Sequence, residues 1–296
     1  MMPGKLICTA KGPVSMTIPA PALADVKLIA SDMDGTLLKG WRRDVDPRAF
    51  PLIEALAARN VPFFAASGRQ YRSLQTLFAP VKDLIGYVCE NGALAIYRGE
   101  TLVKRTIPQD KALEICHAIM DDPDCDLLVS GERTCYALAE STEFIDHLIN
   151  VVKNDVTPVA RPEDIPEPMI KVSYRVPDNR RDETAAAFNG MFGAGYHTVT
   201  SGTIWVDIIQ DGTDKGTALA AVGERLGIAP ADMLAFGDEL NDVEMLDFVG
   251  HPYLMDSGNP EMRSLNGRIR LCSGVEEELA RLLGMAPSAG TADTAE

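Results

Sequence analysis

One segment constrains this chain most, because its apolar residues run directly into two aspartates and a glycine: Leu28-Ile29-Ala30-Ser31-Asp32-Met33-Asp34-Gly35. The apolar residues predict a buried strand, and an Asp-Gly pair is typical of the turn that ends one. Asp32 and Asp34 are two residues apart, so an extended backbone directs both carboxylates to one face. Open α/β sheets bind ligands at the carboxyl ends of their strands, so the segment predicts a ligand site. A plain Asx turn is the alternative interpretation.

Two carboxylates held this close repel each other, and such pairs usually hold a cation or a proton between them. Mg²⁺ is the cation we expect, because it takes oxygen ligands and is often held by one or two carboxylates beside a phosphate. A zinc site is not expected, since the six cysteines are scattered, form no CxxC pair and have no clustered histidines nearby. We expect these thiols to be reduced, which favours a cytoplasmic location.

Polar residues also follow two further apolar strands and open one helix. Ser67 follows the strand predicted over 61–66, Asp238 follows the strand predicted over 233–236, and Lys215 opens a helix. The carboxyl ends of neighbouring parallel strands meet at one sheet edge, so we expect these groups to converge on Asp32. Each also has a plain interpretation, a helix cap for Ser67 and a solvated helix start for Lys215.

The converging groups are those that phosphoryl transfer needs. An aspartate can attack phosphorus, and Asp32 suits this role, while Asp34 suits the general acid and base. Mg²⁺ held by Asp32, Asp238 and a carbonyl near Asp34 would reduce the repulsion between nucleophile and phosphate. Ser67 and Lys215 would bind the remaining phosphoryl oxygens.

Length and charge limit the organisation and the partners. The chain has 296 residues, 46% of them hydrophobic, which suits a folded protein of about two domains. The net charge of −15 disfavours nucleic acid as a partner, and no apolar stretch is long enough to predict a membrane span. We expect a monomer or homodimer, with a tail over 1–24 and a small, polar tail over 286–296.

The order of predicted elements divides the chain into an outer and an inserted part. A β-α-β pattern over 25–103 resumes over 211–285, which predicts one parallel sheet built from both flanks. Between them, residues 104–210 follow a mixed α-β-β-α-β-α-β-β order. The sequence therefore predicts an α/β protein in which a second α/β module is inserted into the first.

Four segments resemble, in order and spacing, the motifs of the haloacid dehalogenase superfamily: Asp32-Met33-Asp34-Gly35-Thr36-Leu37-Leu38, Ser67-Gly68-Arg69, Asp214-Lys215-Gly216 and Gly237-Asp238-Glu239-Leu240-Asn241-Asp242. With Glu90-Asn91-Gly92-Ala93 they are most similar to the Cof-like, sugar-phosphatase subfamily. The resemblance implies a Rossmann-like parallel-sheet core with an inserted α/β cap domain that selects the substrate. The turn over 255–260 departs from the family pattern.

The resemblance also implies a role for each motif residue. It makes Asp32 the nucleophile and Asp34 the acid and base. The implied phosphate ligands are Met33, Ser67, Gly68, Lys215 and Asn241, and the implied metal ligands are Asp32, Asp34, Asp238 and Asp242. Residues that we expect near the substrate are Arg69, Asn91, Arg133 and Lys171.

Together these features predict a Mg²⁺-dependent phosphatase that hydrolyses a small phosphorylated metabolite through an aspartyl-phosphate. Two alternatives stay open at this point. A phosphomutase or phosphotransferase of the same fold would pass the phosphoryl group to a hydroxyl, and a phospho-ligand-binding protein would keep the fold without turnover.

Overall fold

The computed structural model describes residues 19–286, apart from positions 41, 193, 202 and 203. The predicted tails therefore fall largely outside the described residues. The strands are β1 Leu28–Asp32, β2 Phe63–Ala66, β3 Gly86–Cys89, β4 Leu94–Tyr97, β5 Glu100–Lys104, β6 Asp126–Ser130, β7 Cys135–Leu138, β8 Val156–Val159, β9 Lys171–Arg175, β10 Tyr196–Ser201, β11 Trp205–Gln210, β12 Met233–Gly237, β13 His251–Met255 and β14 Arg270–Cys272. The α-helices are α1 Ala49–Ala57, α2 Tyr71–Leu77, α3 Gln109–Met120, α4 Thr142–His147, α5 Arg181–Phe192, α6 Lys215–Leu226, α7 Val243–Phe248 and α8 Val275–Leu283.

The first sheet has eight strands in the order β14-β13-β12-β1-β2-β3-β4-β5. The pairs from β14 to β3 are parallel, and β4 and β5 add an antiparallel hairpin at one edge. Strand β1 lies between β12 and β2, so the carboxyl ends of these three strands meet at one edge. The predicted α/β class with a parallel-sheet core is confirmed.

Helices cover both faces of this sheet, which is why β1 is buried along its whole length. Side chains alternate between the faces. Ile29 packs with α1, α2 and α8, whereas Leu28 and Ala30 pack with α6 and α7 on the opposite face. An apolar strand without polar alternation is what burial on both faces requires.

The second sheet has six strands in the order β10-β11-β9-β6-β7-β8. Its pairs are antiparallel except for β7 with β8. One face packs on α3 and α5 through a core that includes Val172 and Phe188, and the other packs on α4 through Phe144. All six strands come from the part of the chain predicted as the insertion, while the exact boundaries at 104 and 210 stay a prediction.

Four strands differ from the sequence prediction, which did not include β4, β5, β8 or β14. The β4–β5 hairpin turns through Arg98 and Gly99, both with positive φ, and β8 contains Pro158 at the edge of its sheet. Among the described residues, no helix combines the length and the apolar character that crossing a membrane requires.

Candidate active site

Asp32 is the last residue of β1 and lies buried where the three central strands end. Its Oδ1 accepts a hydrogen bond of 2.5 Å from Lys215 Nζ. Its Oδ2 is buried and has no hydrogen-bond partner among the described residues. One oxygen of this carboxylate is therefore fixed, and the other is left to meet a ligand.

Lys215 is the first residue of α6, and its side chain is only 1% exposed. Besides Asp32, its ammonium group donates to Asp242 Oδ1 over 2.7 Å. The other oxygen of Asp242 accepts from the backbone N–H groups of Asp238 and Glu239 over 3.0 and 3.2 Å. Asp242 thus holds both the lysine and the turn after β12.

Three buried or half-buried carboxylates face a single ammonium here. An oxygen from each of Asp32, Asp238 and Asp242 lies within 4.8 Å of the others. Burial, followed by the charges of Asp242 and Asp238, raises the pKa of Asp32 well above its usual range, although Lys215 lowers it. When all are ionised, the three carboxylates and one lysine leave two negative charges, which a divalent cation would balance.

The same electrostatics act on Asp238 and Lys215. Burial and the nearby Asp242 raise the pKa of Asp238 to about 6. Burial alone lowers the pKa of Lys215, but Asp242 and Asp32 outweigh it, so that the pKa is raised. The Lys215 ammonium group therefore stays charged. Its one positive charge does not balance the negative charges of the three carboxylates.

The turn after β1 brings Asp238 against the backbone. Thr36 Oγ1 donates to Asp238 Oδ1 over 3.0 Å. Gly35 has a φ of +94°, and a Cβ at this position would lie 2.0 Å from Asp238 Oδ2. Only glycine combines this backbone angle with so close an approach of the carboxylate.

Asp34 does not join the three carboxylates. Strand β1 ends at Asp32, and the Asp34 side chain is 57% exposed and forms a two-point ion pair with Arg69. Arg69 Nη2 donates to Asp34 Oδ1 over 2.5 Å and Nε donates to Oδ2 over 2.8 Å. Strand β1 ends at Asp32 and residue 33 lies in a turn, so the extended backbone expected across both aspartates is interrupted, and a common direction of their side chains stays a prediction.

Ser67, Gly68 and Arg69 form a tightly bound loop after β2. The backbone carbonyls of Ser67 and Arg69 accept from the N–H groups of Asn91 and Glu90 over 3.1 and 3.2 Å. The N–H of Arg69 donates to Ser67 Oγ over 3.2 Å. The structure therefore places the predicted phosphate-binding loop beside the Glu90–Gly92 turn.

The Glu90–Gly92 turn packs against the start of α6. Gly92 has a φ of +98°, and a Cβ there would lie 2.1 Å from the carbonyl oxygen of Asp214. Glycine is thus needed for this approach, which sets where Lys215 enters the site. Asn91 is buried and its Nδ2 donates to Asp207 Oδ2 over 2.8 Å.

Two further predicted phosphate ligands lie on the same turns. Met33 is buried, with its side chain in the core, and its carbonyl accepts from the N–H groups of Thr36 and Leu38. Asn241 is half-buried and directly precedes Asp242 in the turn after β12. Their predicted contacts with phosphate stay predictions.

Besides Arg69, two cations are predicted near the substrate, and they have different surroundings. Arg133 lies between β6 and β7, is 72% exposed and reaches Glu167 over 3.5 Å. Lys171, the first residue of β9, is buried and contacts Gly68, Glu90 and Asp207. A role of either residue in substrate binding stays a prediction.

Sequence reasoning missed several residues that connect the two sheets. Asp207 lies in β11, where it bonds Asn91, Lys171 and Ser173, and Gln70 Oε1 accepts from the N–H of Asp155 over 3.0 Å. An acid inside the apolar strand Trp205–Gln210 could have indicated a buried polar contact, because buried carboxylates need partners. No pattern in the sequence around Gln70 indicates its contact with Asp155.

A family model and several known proteins are similar to this chain. The family model for haloacid dehalogenase-like hydrolases matches residues 29–269. The 5-amino-6-(5-phospho-D-ribitylamino)uracil phosphatase YbjI of Escherichia coli is 24% identical over 78% of this chain and 86% of its own length. An HMP-PP phosphatase of Serratia proteamaculans is 28% identical over 85% of this chain and 92% of its own. 

A solved structure from Streptococcus mutans superposes with a TM-score of 0.76 at 26% identity, covering 88% of this chain and 99% of that one. The family match spans the first motif, the last motif and all the elements between them. The predicted family and class of enzyme are confirmed, and the chain belongs to the haloacid dehalogenase-like hydrolases.

Proposed function

We propose that this hydrolase removes the phosphoryl group of a small phosphorylated metabolite, with Mg²⁺ and through an aspartyl-phosphate on Asp32. The observation that carries the proposal is the state of the Asp32 carboxylate. Lys215 holds Oδ1, while the buried Oδ2 has no partner among the described residues. A carboxylate fixed in this way is a nucleophile already oriented for attack on phosphorus.

The reaction divides into two displacements at phosphorus. Asp32 attacks as the bond from phosphorus to the leaving oxygen breaks, and Asp34 donates a proton to that oxygen. Water then attacks the phosphorus of the aspartyl-phosphate, Asp34 accepts the proton, and the Asp32 carboxylate and inorganic phosphate are released. The ion pair with Arg69 fixes the position of Asp34 between these steps.

The other site residues bind and balance charge. Ser67 and Lys215 would donate to phosphoryl oxygens, with Met33, Gly68 and Asn241 contributing from the neighbouring turns. The excess of two negative charges and the unpartnered Asp32 Oδ2 fit a hard divalent cation. 

Asp32, Asp238 and a backbone carbonyl near Asp34 would hold Mg²⁺, with Asp242 supporting the site through Lys215. When bound, the ion would offset the repulsion between the nucleophile and the phosphate.

We also propose that residues 104–210 act as a cap over a catalytic domain formed by 25–103 and 211–285. The separate core of the six-stranded sheet supports this division. Ligand sites favour domain interfaces, and closure of a cap excludes water from the reacting groups. Relatives named for 5-amino-6-(5-phospho-D-ribitylamino)uracil and for HMP-PP support a phosphorylated metabolite as the substrate class.

A phosphate-release assay tests the proposal directly. The wild type with Mg²⁺ should release phosphate from p-nitrophenyl phosphate, and Asp32→Asn should not. A panel of phosphorylated metabolites then identifies the preferred leaving group. Transfer to a sugar without free phosphate would indicate a phosphotransferase, and binding without turnover would indicate a phospho-ligand-binding protein. A cytoplasmic location and a monomeric or homodimeric state stay predictions.

A further inference from the structure

A buried polar cluster joins the second sheet to the Ser67–Gly68 loop. This inter-sheet cluster consists of Lys171, Ser173 and Asp207 from the second sheet and of Glu90 and Asn91 from the turn after β3. All five side chains are buried. Buried charges persist only when they are paired, so the cluster has a defined geometry.

The Lys171 ammonium group uses all of its donors inside this cluster. Its Nζ lies 2.7 Å from Glu90 Oε2, 3.1 Å from Asp207 Oδ2 and 2.9 Å from the carbonyl oxygen of Gly68. An ammonium group carries three N–H donors, and these three acceptors match them in number. Lys171 therefore has no donor left for a substrate while these contacts persist.

The Asp207 carboxylate, which contacts Lys171, also accepts hydrogen bonds from two other residues. Asp207 Oδ1 accepts from Ser173 Oγ over 2.7 Å, and Asp207 Oδ2 also accepts from Asn91 Nδ2 over 2.8 Å. Burial alone lowers the pKa of Lys171, but Asp207 and Glu90 outweigh it and raise the pKa. The lysine stays charged, and a charged donor binds a carbonyl more strongly than a neutral one.

One peptide group connects the contact between Lys171 and Gly68 to Ser67, the predicted phosphate ligand. The carbonyl of Gly68 and the N–H of Arg69 belong to the same planar unit, so fixing the oxygen fixes the direction of the N–H. That N–H donates to Ser67 Oγ over 3.2 Å. The Ser67 hydroxyl then accepts from the backbone and keeps its own proton for a phosphoryl oxygen.

We infer that Lys171 is a positioning residue for phosphoryl binding, which sets the Ser67 hydroxyl through the Gly68–Arg69 peptide group. The inference rests on the proposed function in taking Ser67 as a phosphate ligand. It makes the second sheet part of the phosphate site, because β9 supplies the lysine. Lys171 then affects every phosphorylated ligand, whatever its leaving group.

Binding of inorganic phosphate tests this inference without turnover. Its Kd is measured by calorimetry on the full chain with Mg²⁺, for the wild type, Lys171→Met and Lys171→Met/Asp207→Asn. The double variant removes one negative charge with the lysine and so keeps the net charge of the cluster. Arg175→Met is the matched control, because Arg175 is also on β9 but pairs with Asp126. Thermal unfolding identifies the folded variants.

We expect the Kd for phosphate to rise at least about tenfold in both Lys171 variants and less than about twofold in Arg175→Met. The KM for p-nitrophenyl phosphate should rise in the same way. An unchanged Kd in either folded Lys171 variant would overturn the inference, as would an effect confined to substrates with large leaving groups. A wild type that binds phosphate without turning over any substrate would overturn the proposed function alone.

Discussion

Asp238→Asn should stabilise the metal-free protein above pH 6, although it removes a proposed metal ligand. Burial and the charge of Asp242 raise the pKa of the Asp238 carboxyl from 3.8 to about 6. A raised acid pKa means that the folded state holds the proton more tightly than the unfolded state. The resulting stabilisation is complete below about pH 4 and is lost as the pH rises through about 6.

The size of this effect follows from the two pKa values. At about 1.4 kcal/mol per pKa unit, the difference amounts to about 3 kcal/mol between acid and neutral pH. Asp238 retains some solvent exposure, which screens its interactions, so we expect Asp238→Asn to add about 1–3 kcal/mol to the free energy of unfolding at pH 8. Mg²⁺ favours the ionised carboxyl and should cancel the advantage of the variant.

Urea unfolding in EDTA at pH 5 and pH 8 measures these differences. Asp83→Asn, a change at an exposed aspartate, is the control and should match the wild type at both values. Mg²⁺ should raise the Tm of the wild type more than that of Asp238→Asn. If Asp238→Asn were less stable than the wild type at pH 8 in EDTA, the assignment of an electrostatically strained carboxyl would be refuted.

Three further predictions concern activity. Asp32→Asn should lose phosphate release at least about a thousandfold while its Tm stays near that of the wild type, and retention of a few per cent of the rate would exclude Asp32 as nucleophile. Gly35→Ala should weaken Mg²⁺ activation strongly, because the added Cβ would meet Asp238. Gly40→Ala is the control, since Gly40 also has a positive φ but lies in open space, and it should leave Mg²⁺ activation unchanged. Equal Mg²⁺ titration curves for the two variants would contradict this prediction. EDTA should abolish activity and Mg²⁺ but not Ca²⁺ should restore it, which a metal-replacement series of rates would check.

The motif residues were predictable from sequence because each lies directly after an apolar strand or at the start of a helix. The parallel order of β12, β1 and β2 then brings Asp238, Asp32 and Ser67 to one sheet edge without further information. Lys215 joins them because α6 begins at that edge. For these residues, local pattern and sheet topology are sufficient.

Other features depend on contacts that local sequence does not encode. The pairing of Asp34 with Arg69 joins two turns that are 35 residues apart. The β4–β5 hairpin turns through Arg98 and Gly99, whereas Asn-Gly is the pair that usually marks such a turn. Strand β8 was not predicted because it contains Pro158, and proline in a strand is tolerated mainly at sheet edges.

The central claim, an aspartyl-phosphate on Asp32, is tested most directly by trapping it. Asp34→Asn with p-nitrophenyl phosphate and Mg²⁺ should form the intermediate but break it down slowly, because only the second step needs a base with this leaving group. Acid quench, borohydride reduction and peptide mass spectrometry should then find homoserine at position 32. A p-nitrophenol burst with no modified residue, or with the modification at another aspartate, would contradict the account.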